Sequence, residues 1–98
     1  MANELPLYRH WIQNQPCIVC GHRPCEAHHP RHNVGLAMRA HDSRLVSLCS
    51  RHHTELHGMS GHFRALHRQD VRDMMDAAGE RLRTEYKKQH PEDESETL

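Results

Sequence analysis

The first apolar stripe of the chain has helical spacing. Its members are Leu7, Tyr8, Trp11 and Ile12. Residues 5–13 are therefore predicted to form a short helix, in which Pro6 is tolerated because it lies in the first turn.

The middle of the chain has the pattern of two short strands and a helix. Residues 25–30 and 45–48 are predicted to be extended, and turn-forming residues between them predict a long loop over 31–44. A helix over 51–57 follows, with Ser50 as its N-cap and Gly58 as its stop.

The last third of the chain is predicted to be helical. Ser60 can cap a short helix through His67, and Asp70 with Asp73 can open a longer one. The longer helix has apolar residues at helical spacing that we predict to be core: Val71, Met74, Met75, Ala78, Leu82 and Tyr86. Residues 90–98 have almost no apolar content and are predicted to form a disordered acidic tail.

Composition indicates one domain that needs a staple beyond its own core, and the candidates are disulfides, a structural metal or oligomerisation. The chain has 98 residues, of which 36% are hydrophobic and 4% aromatic, so it cannot bury a large core. We predict a single domain over 1–89, with its core at 16–58 and C-terminal helices at 60–88.

The cysteines favour a metal as that staple. No apolar run reaches the length of a membrane span, and the first ten residues lack the pattern of a secretory signal, so a cytoplasmic location without membrane contact is expected. In a reducing compartment, four cysteines are more often metal ligands than disulfides.

Two ligand pairs predict a structural zinc site. Cys17 and Cys20 form a Cys-x-x-Cys knuckle, and Cys49 with His52 repeats that spacing, so that together they supply a tetrahedral Cys3His set. Cys25 could replace one of these ligands, with His52 as the first candidate, or could be a small buried thiol.

The twelve histidines suggest a second metal site. His53 and His57 are four residues apart on a predicted helix and so share one face, where both can reach one ion. His28 and His29 end the first strand and point in different directions because they are adjacent. One of these two is expected to bind the ion, and the other to act as a general base toward water. An open site of this kind suits phosphodiester hydrolysis.

These residues resemble a known family. CIVCGHRPCEAHHPRH together with DSRLVSLCSRHHTELH is similar to the zinc-finger branch of the HNH (ββα-metal) endonucleases, and more narrowly to phage and prophage nucleases of the recombination-enhancement type. The match covers about 16–58. It implies a small α+β fold: a ββα-metal finger stapled by zinc, with flanking helices on its N- and C-terminal sides.

The resemblance also implies roles for individual residues. His29 would be the general base, and the catalytic cation, Mg²⁺, Mn²⁺ or Ni²⁺, would be held by His28, His53 and His57. The structural Zn²⁺ set would be Cys17, Cys20, Cys49 and His52. The implied substrate is DNA, in phage recombination or processing, and a recombination protein is a candidate partner.

The chain departs from the family at its middle asparagine. Asp42 lies at the corresponding place before the second strand and could accept a hydrogen bond from the base imidazole, while Asn33 is the alternative. Arg31 and Arg51 adjoin the ligands and are predicted to contact backbone phosphates.

Charge adds little to the prediction of a DNA partner. The chain has 13 basic and 13 acidic residues, and four of the acids lie in the last nine positions. A body with a small basic surplus predicts weak, salt-sensitive DNA binding unless a dimer or partner enlarges the contact.

Two other functions compete with the nuclease. A non-catalytic zinc-finger module that binds DNA or protein would use His28, His29, His53 and His57 to close a second structural zinc site. A metalloprotease is disfavoured because Thr54 stands where the glutamate of H-E-x-x-H would be.

Overall fold

A computed structural model describes residues 4–30 and 41–91. Within these ranges the chain forms three α-helices and a two-stranded sheet: α1 (Pro6–Gln13), β1 (Glu26–His28), β2 (Val46–Leu48), α2 (Ser50–Gly58) and α3 (Arg68–Gln89). Single 3-10 turns lie at Asp42–Arg44 and Gly61–Phe63. The predicted α+β class is confirmed at this level.

The two strands form an antiparallel pair. Glu26 is opposite Leu48, and His28 is opposite Val46. All three residues of β2 are buried, so this strand lies at the centre of the core. The chain enters α2 directly from β2, which fixes the start of that helix against the sheet.

Helices α1 and α3 cover the sheet and contact each other. The ring of Tyr8 packs edge-on against Tyr86 with 4.9 Å between centroids, and Trp11 donates its indole N–H to Gln89 at 3.1 Å. Tyr8 and Ile12 of the predicted α1 stripe are buried and Trp11 is partly buried, but Leu7 is 54% exposed and Leu5 is buried instead.

The prediction for α3 is confirmed for most of its apolar positions. Val71, Met75, Ala78, Leu82 and Tyr86 are buried, and Met74 is partly buried against them. The helix begins earlier than Asp70, because the Nδ1 atom of His67 accepts a hydrogen bond from the amide of Gln69 and caps it.

Three predicted helix boundaries are wrong. Cys49, not Ser50, is the N-cap of α2. Gly58 is still helical, and Met59 takes the left-handed conformation (φ 48°) that ends α2. Ser60 makes no side-chain cap, and only the turn Gly61–Phe63 forms where a helix through His67 was expected.

Other predicted segments are partly outside the described residues. The 31–44 loop is described only at its end, where the Asp42–Arg44 turn forms, and the acidic tail is described only at His90 and Pro91. The ring of His90 stacks on Tyr86. No helix in the described ranges is long and apolar enough to cross a membrane.

Candidate metal centres

The four residues predicted for structural zinc lie together. One ligand atom from each of Cys17, Cys20, Cys49 and His52 falls within 4.8 Å of the others. The Cys20 and Cys49 sulfurs are 3.8 Å apart, and His52 Nδ1 is 3.2 Å from Cys49 Sγ. All four cysteines are free thiols. Three sulfurs and one imidazole nitrogen at these separations suit a tetrahedral metal such as zinc.

Two hydrogen bonds bring the two halves of this group together. The amide of Ile18 donates to the carbonyl of Ser47 at 3.0 Å, and the Ser47 hydroxyl donates to the carbonyl of Pro16 at 2.8 Å. Gly21 closes the knuckle with φ 78°, a conformation that glycine adopts without strain. The Cys17 to Cys20 turn is thereby tied to β2, just before Cys49.

The surroundings of Cys17 favour its thiolate. Burial opposes ionisation, but hydrogen bonds from the backbone amides of Cys49, Cys20 and Val19 outweigh it and lower the pKa of Cys17 to about 6. A sulfur that loses its proton this readily is prepared to bind a metal ion.

Cys25 is in a different environment. Its thiol donates to the carbonyl of His22 at 3.2 Å, and burial raises its pKa to about 11. It does not belong to the group of four. Of the two alternatives that the sequence left open, the geometry favours the small buried thiol.

A carboxylate lies behind His52. His52 turns Nδ1 toward the cysteines, and its Nε2 atom approaches Glu55 Oε1 at 3.9 Å. The amide of His62 and the guanidinium of Arg51 donate to Glu55 and lower the pKa of its carboxyl. Glu55 is therefore an anion near the imidazole of His52, at ion-pair distance but too far for a hydrogen bond.

The three histidines predicted for the second metal also converge. His53 Nε2 is 3.1 Å from His28 Nδ1 and 3.1 Å from His57 Nε2. One nitrogen from each lies within 4.8 Å of the others, so the three rings can share a cation. The strand β1 supplies His28, and one face of α2 supplies the other two.

Glu26 supports this second group, and sequence reasoning missed it. Its Oε1 atom is 2.5 Å from His53 Nδ1. A hydrogen bond there fixes the proton on Nδ1 and leaves Nε2, the nitrogen nearest the other two rings, free to bind a metal. Glu26 precedes His28 by two residues on β1, and residues two apart on a strand share a face.

His29 is not one of the three converging histidines and has a different partner. Its Nε2 atom is 2.7 Å from Asp42 Oδ1, so the predicted contact between these two side chains is present. Asp42 is 2% exposed. Burial disfavours its charge, but hydrogen bonds from the Leu5 amide, His29 and Arg9 hold the pKa of this carboxyl below its usual value.

Asp42 also anchors the N-terminal helix. The Leu5 amide donates to Oδ2 at 2.8 Å, and Arg9 donates to Oδ1 at 3.1 Å. One buried carboxylate thus joins α1, the Asp42–Arg44 turn and His29. Asn33, the alternative to Asp42, lies outside the described residues.

One pocket of about 500 Å³ contains both His29 and the three-histidine group. It is lined by Ala27, His28, His29, His53, Leu56, His57, Met59 and Arg68. Arg68 is the second residue that sequence reasoning missed. It reaches the pocket because the chain reverses direction after α2, and no sequence pattern predicts that reversal.

Arg51, one of the two predicted phosphate-binding residues, does not line this pocket. Arg51 lines a separate pocket beside Cys20, Cys49 and His52, and its guanidinium pairs with Glu55 at 3.1 Å. Arg31 lies outside the described residues. A phosphate contact by either residue stays a prediction.

Comparison with known proteins places the chain in a group without an assigned activity. The family described as "Protein of unknown function (DUF968)" matches residues 2–83. "Uncharacterized protein YdfU" of Escherichia coli (strain K12) is 38% identical over 52 residues, which is 51% of this chain and 15% of that protein. The chain thus spans only a small part of this relative. No solved structure matches.

Proposed function

We propose that this chain, which belongs to the DUF968 family, is a metal-dependent DNA endonuclease with a ββα-metal (HNH) domain. One observation carries the proposal. His29, held by the buried carboxylate of Asp42, lines the same pocket as three histidines whose ring nitrogens converge. Metal-dependent phosphodiester hydrolysis requires a positioned general base next to a set of ligands for one cation.

The order of elements supports the HNH assignment. The antiparallel pair β1 and β2 runs directly into α2, and the three ligands come from β1 and α2. The Cys3His group ties the knuckle before β1 to the start of α2, and a zinc ion there would hold the short strands in place.

His29 is the general base in this proposal. Its Nε2–H donates to Asp42, which leaves Nδ1 unprotonated and able to accept a proton from water. As that proton moves to His29, the water oxygen bonds to phosphorus, one phosphorus–oxygen ester bond breaks, and the leaving oxygen takes a proton from solvent.

Other residues at the pocket would hold the cation or orient its ligands. His28, His53 and His57 would bind a divalent cation such as Mg²⁺, Mn²⁺ or Ni²⁺, and Glu26 keeps His53 in the tautomer that binding needs. When bound, the cation would neutralise charge on the phosphate and stabilise the leaving oxygen.

The competing zinc-finger module would need His29 as a fourth ligand. In the structure His29 turns Nε2 to Asp42, and the group of converging nitrogens contains three histidines of the described ranges. Three protein ligands with a separate base are typical of a catalytic site, whereas four ligands are typical of a closed structural one. A role in phage DNA recombination, with a recombination protein as partner, is proposed from the family resemblance alone.

The decisive experiment is DNA cleavage by the full chain. Supercoiled, linear and single-stranded DNA are incubated with Mg²⁺, Mn²⁺ or Ni²⁺, using wild type, His29→Ala and the control His10→Ala. His10 is exposed on α1, and among the residues that the structure describes its side chain bonds only to Asn14. We expect metal-dependent cleavage by wild type and His10→Ala, and its loss in His29→Ala. Absence of cleavage in all conditions, or equal cleavage by His29→Ala, would overturn the proposal.

A further inference from the structure

We propose that Arg68 binds a phosphate oxygen of the nucleic acid strand that occupies the histidine pocket. This inference rests on the proposed function, because it assigns the substrate contact at the same site. It starts from the lining of that pocket, which has four histidines, three apolar residues and Arg68, and no acidic side chain from the described ranges.

The guanidinium of Arg68 is available for a ligand. It makes no hydrogen bond or ion pair with any residue in 4–30 or 41–91. Arg9, Arg51 and Arg83, by contrast, are each bound to a protein oxygen. Arg68 thus combines a free guanidinium with a place in the pocket.

The path of the chain holds Arg68 at the pocket. Met59 reverses the chain at the end of α2 and itself lines the pocket, and Phe63 anchors the following turn in the core. Helix α3 then begins at Arg68, so the backbone of this residue is fixed on the first turn of a 22-residue helix.

Charge selects the kind of ligand. A guanidinium next to a cation held by three histidines is unfavourable unless an anion lies between them, because like charges repel. A phosphodiester satisfies both partners, since the fork of N–H groups on arginine matches phosphate oxygens. Such a contact positions the strand without reading its sequence.

The test measures DNA binding apart from cleavage. His29→Ala is used as the background, so that a labelled DNA duplex stays intact with Mn²⁺ present, and fluorescence anisotropy gives its dissociation constant. Arg68→Ala is compared with Arg72→Ala, which removes an equal charge from an exposed position one turn further along α3. Circular dichroism and zinc content establish that each variant is folded.

We expect Arg68→Ala to weaken binding about tenfold or more, as the loss of a charged hydrogen bond does. The slope of log affinity against log salt should fall by about 0.9, the value for one phosphate contact. Arg72→Ala should change both much less. Equal affinities and slopes for the two variants would overturn the inference.

The outcomes separate this inference from the proposed function. If wild type cleaves DNA but Arg68→Ala binds it as well as Arg72→Ala does, the phosphate contact is refuted and the nuclease proposal stands. If Arg68→Ala alone binds DNA more weakly and wild type does not cleave it, the phosphate contact is supported and the nuclease proposal is refuted.

Discussion

The Nε2 atom of His29 lies 2.7 Å from the Oδ1 atom of Asp42, in a part of the protein where the carboxylate is almost inaccessible to water. The same carboxylate accepts hydrogen bonds from α1. The orientation of the candidate base therefore depends on an element outside the strands and helix that hold the metal ligands.

Asp42→Asn tests this dependence. The new amide group puts N–H donors where the carboxylate accepted bonds from His29, Arg9 and Leu5, so at least one of these donors loses its acceptor. We expect cleavage to fall about 10–100-fold, the usual cost of changing a group behind an active-site histidine, while bound metal is unchanged. Asp73→Asn, the same change at an exposed position of α3, should cleave as wild type does. Full activity of folded Asp42→Asn would mean that Asp42 does not orient the base.

The Cys3His group should hold about one zinc ion per chain. Cys17→Ser removes the sulfur whose thiolate the surroundings favour, and is expected to lose that zinc and lower the melting temperature. Cys25→Ser is the matched control and should keep the metal, since this thiol is protonated and bonded to a carbonyl. Elemental analysis of the purified proteins decides between them, and zinc loss from Cys25→Ser alone would contradict the assignment.

Glu26 should influence the second metal without touching it. Glu26→Ala removes the acceptor for His53 Nδ1, and we expect affinity for Mn²⁺ to fall about 10–100-fold in calorimetric titrations of protein already loaded with zinc. Glu26→Gln keeps an acceptor oxygen and should lie between this variant and wild type. Glu85→Ala, an exposed control on α3, should bind as wild type does. Unchanged affinity in Glu26→Ala would show that His53 needs no partner.

We expect alanine substitutions at Gly61 and Gly58 to change the stability of the protein in opposite directions. At Gly61, φ is 52° and a methyl group would overlap the Glu55 carboxylate, so Gly61→Ala should cost about 1–3 kcal/mol in the free energy of unfolding. Gly58 is helical and a methyl group there meets only Ser60 Oγ at 3.5 Å, so Gly58→Ala should raise stability by up to about 1 kcal/mol. Thermal unfolding measures both, and similar melting temperatures for the two variants would contradict this prediction.

The ligand groups could be predicted mainly from the spacing of residues that are close together in the sequence. Two local spacings fix side chains relative to each other within one turn. One is the i, i+4 relation of His53 and His57, and the other is the i, i+3 relation within each pair of zinc ligands. Glu26 was within reach of the same reasoning, because it shares a strand face with His28.

Other features depend on tertiary structure. Leu5 and Leu7 are equally apolar, and Leu5 is buried where its amide meets Asp42, a residue 37 positions away. Arg68 comes to the histidine pocket through the reversal at Met59, and a left-handed methionine has no sequence signal. The end of α2 was misplaced for the same reason, since glycine is the residue that usually takes that conformation.

The adjacency of His52 and His53 on α2 restricts how this segment can change. His52 belongs to one candidate metal group and His53 to the other, and the α-helix sets the angle between their side chains. A single residue inserted or deleted between Cys49 and His53 would rotate the side chains after it by about 100° around the helix axis. Such a change would turn His53 and His57 away from His28 while Cys49 stayed in place. An insertion between Cys49 and His52 would therefore disturb both groups, whereas one between His53 and His57 would disturb only the three-histidine group.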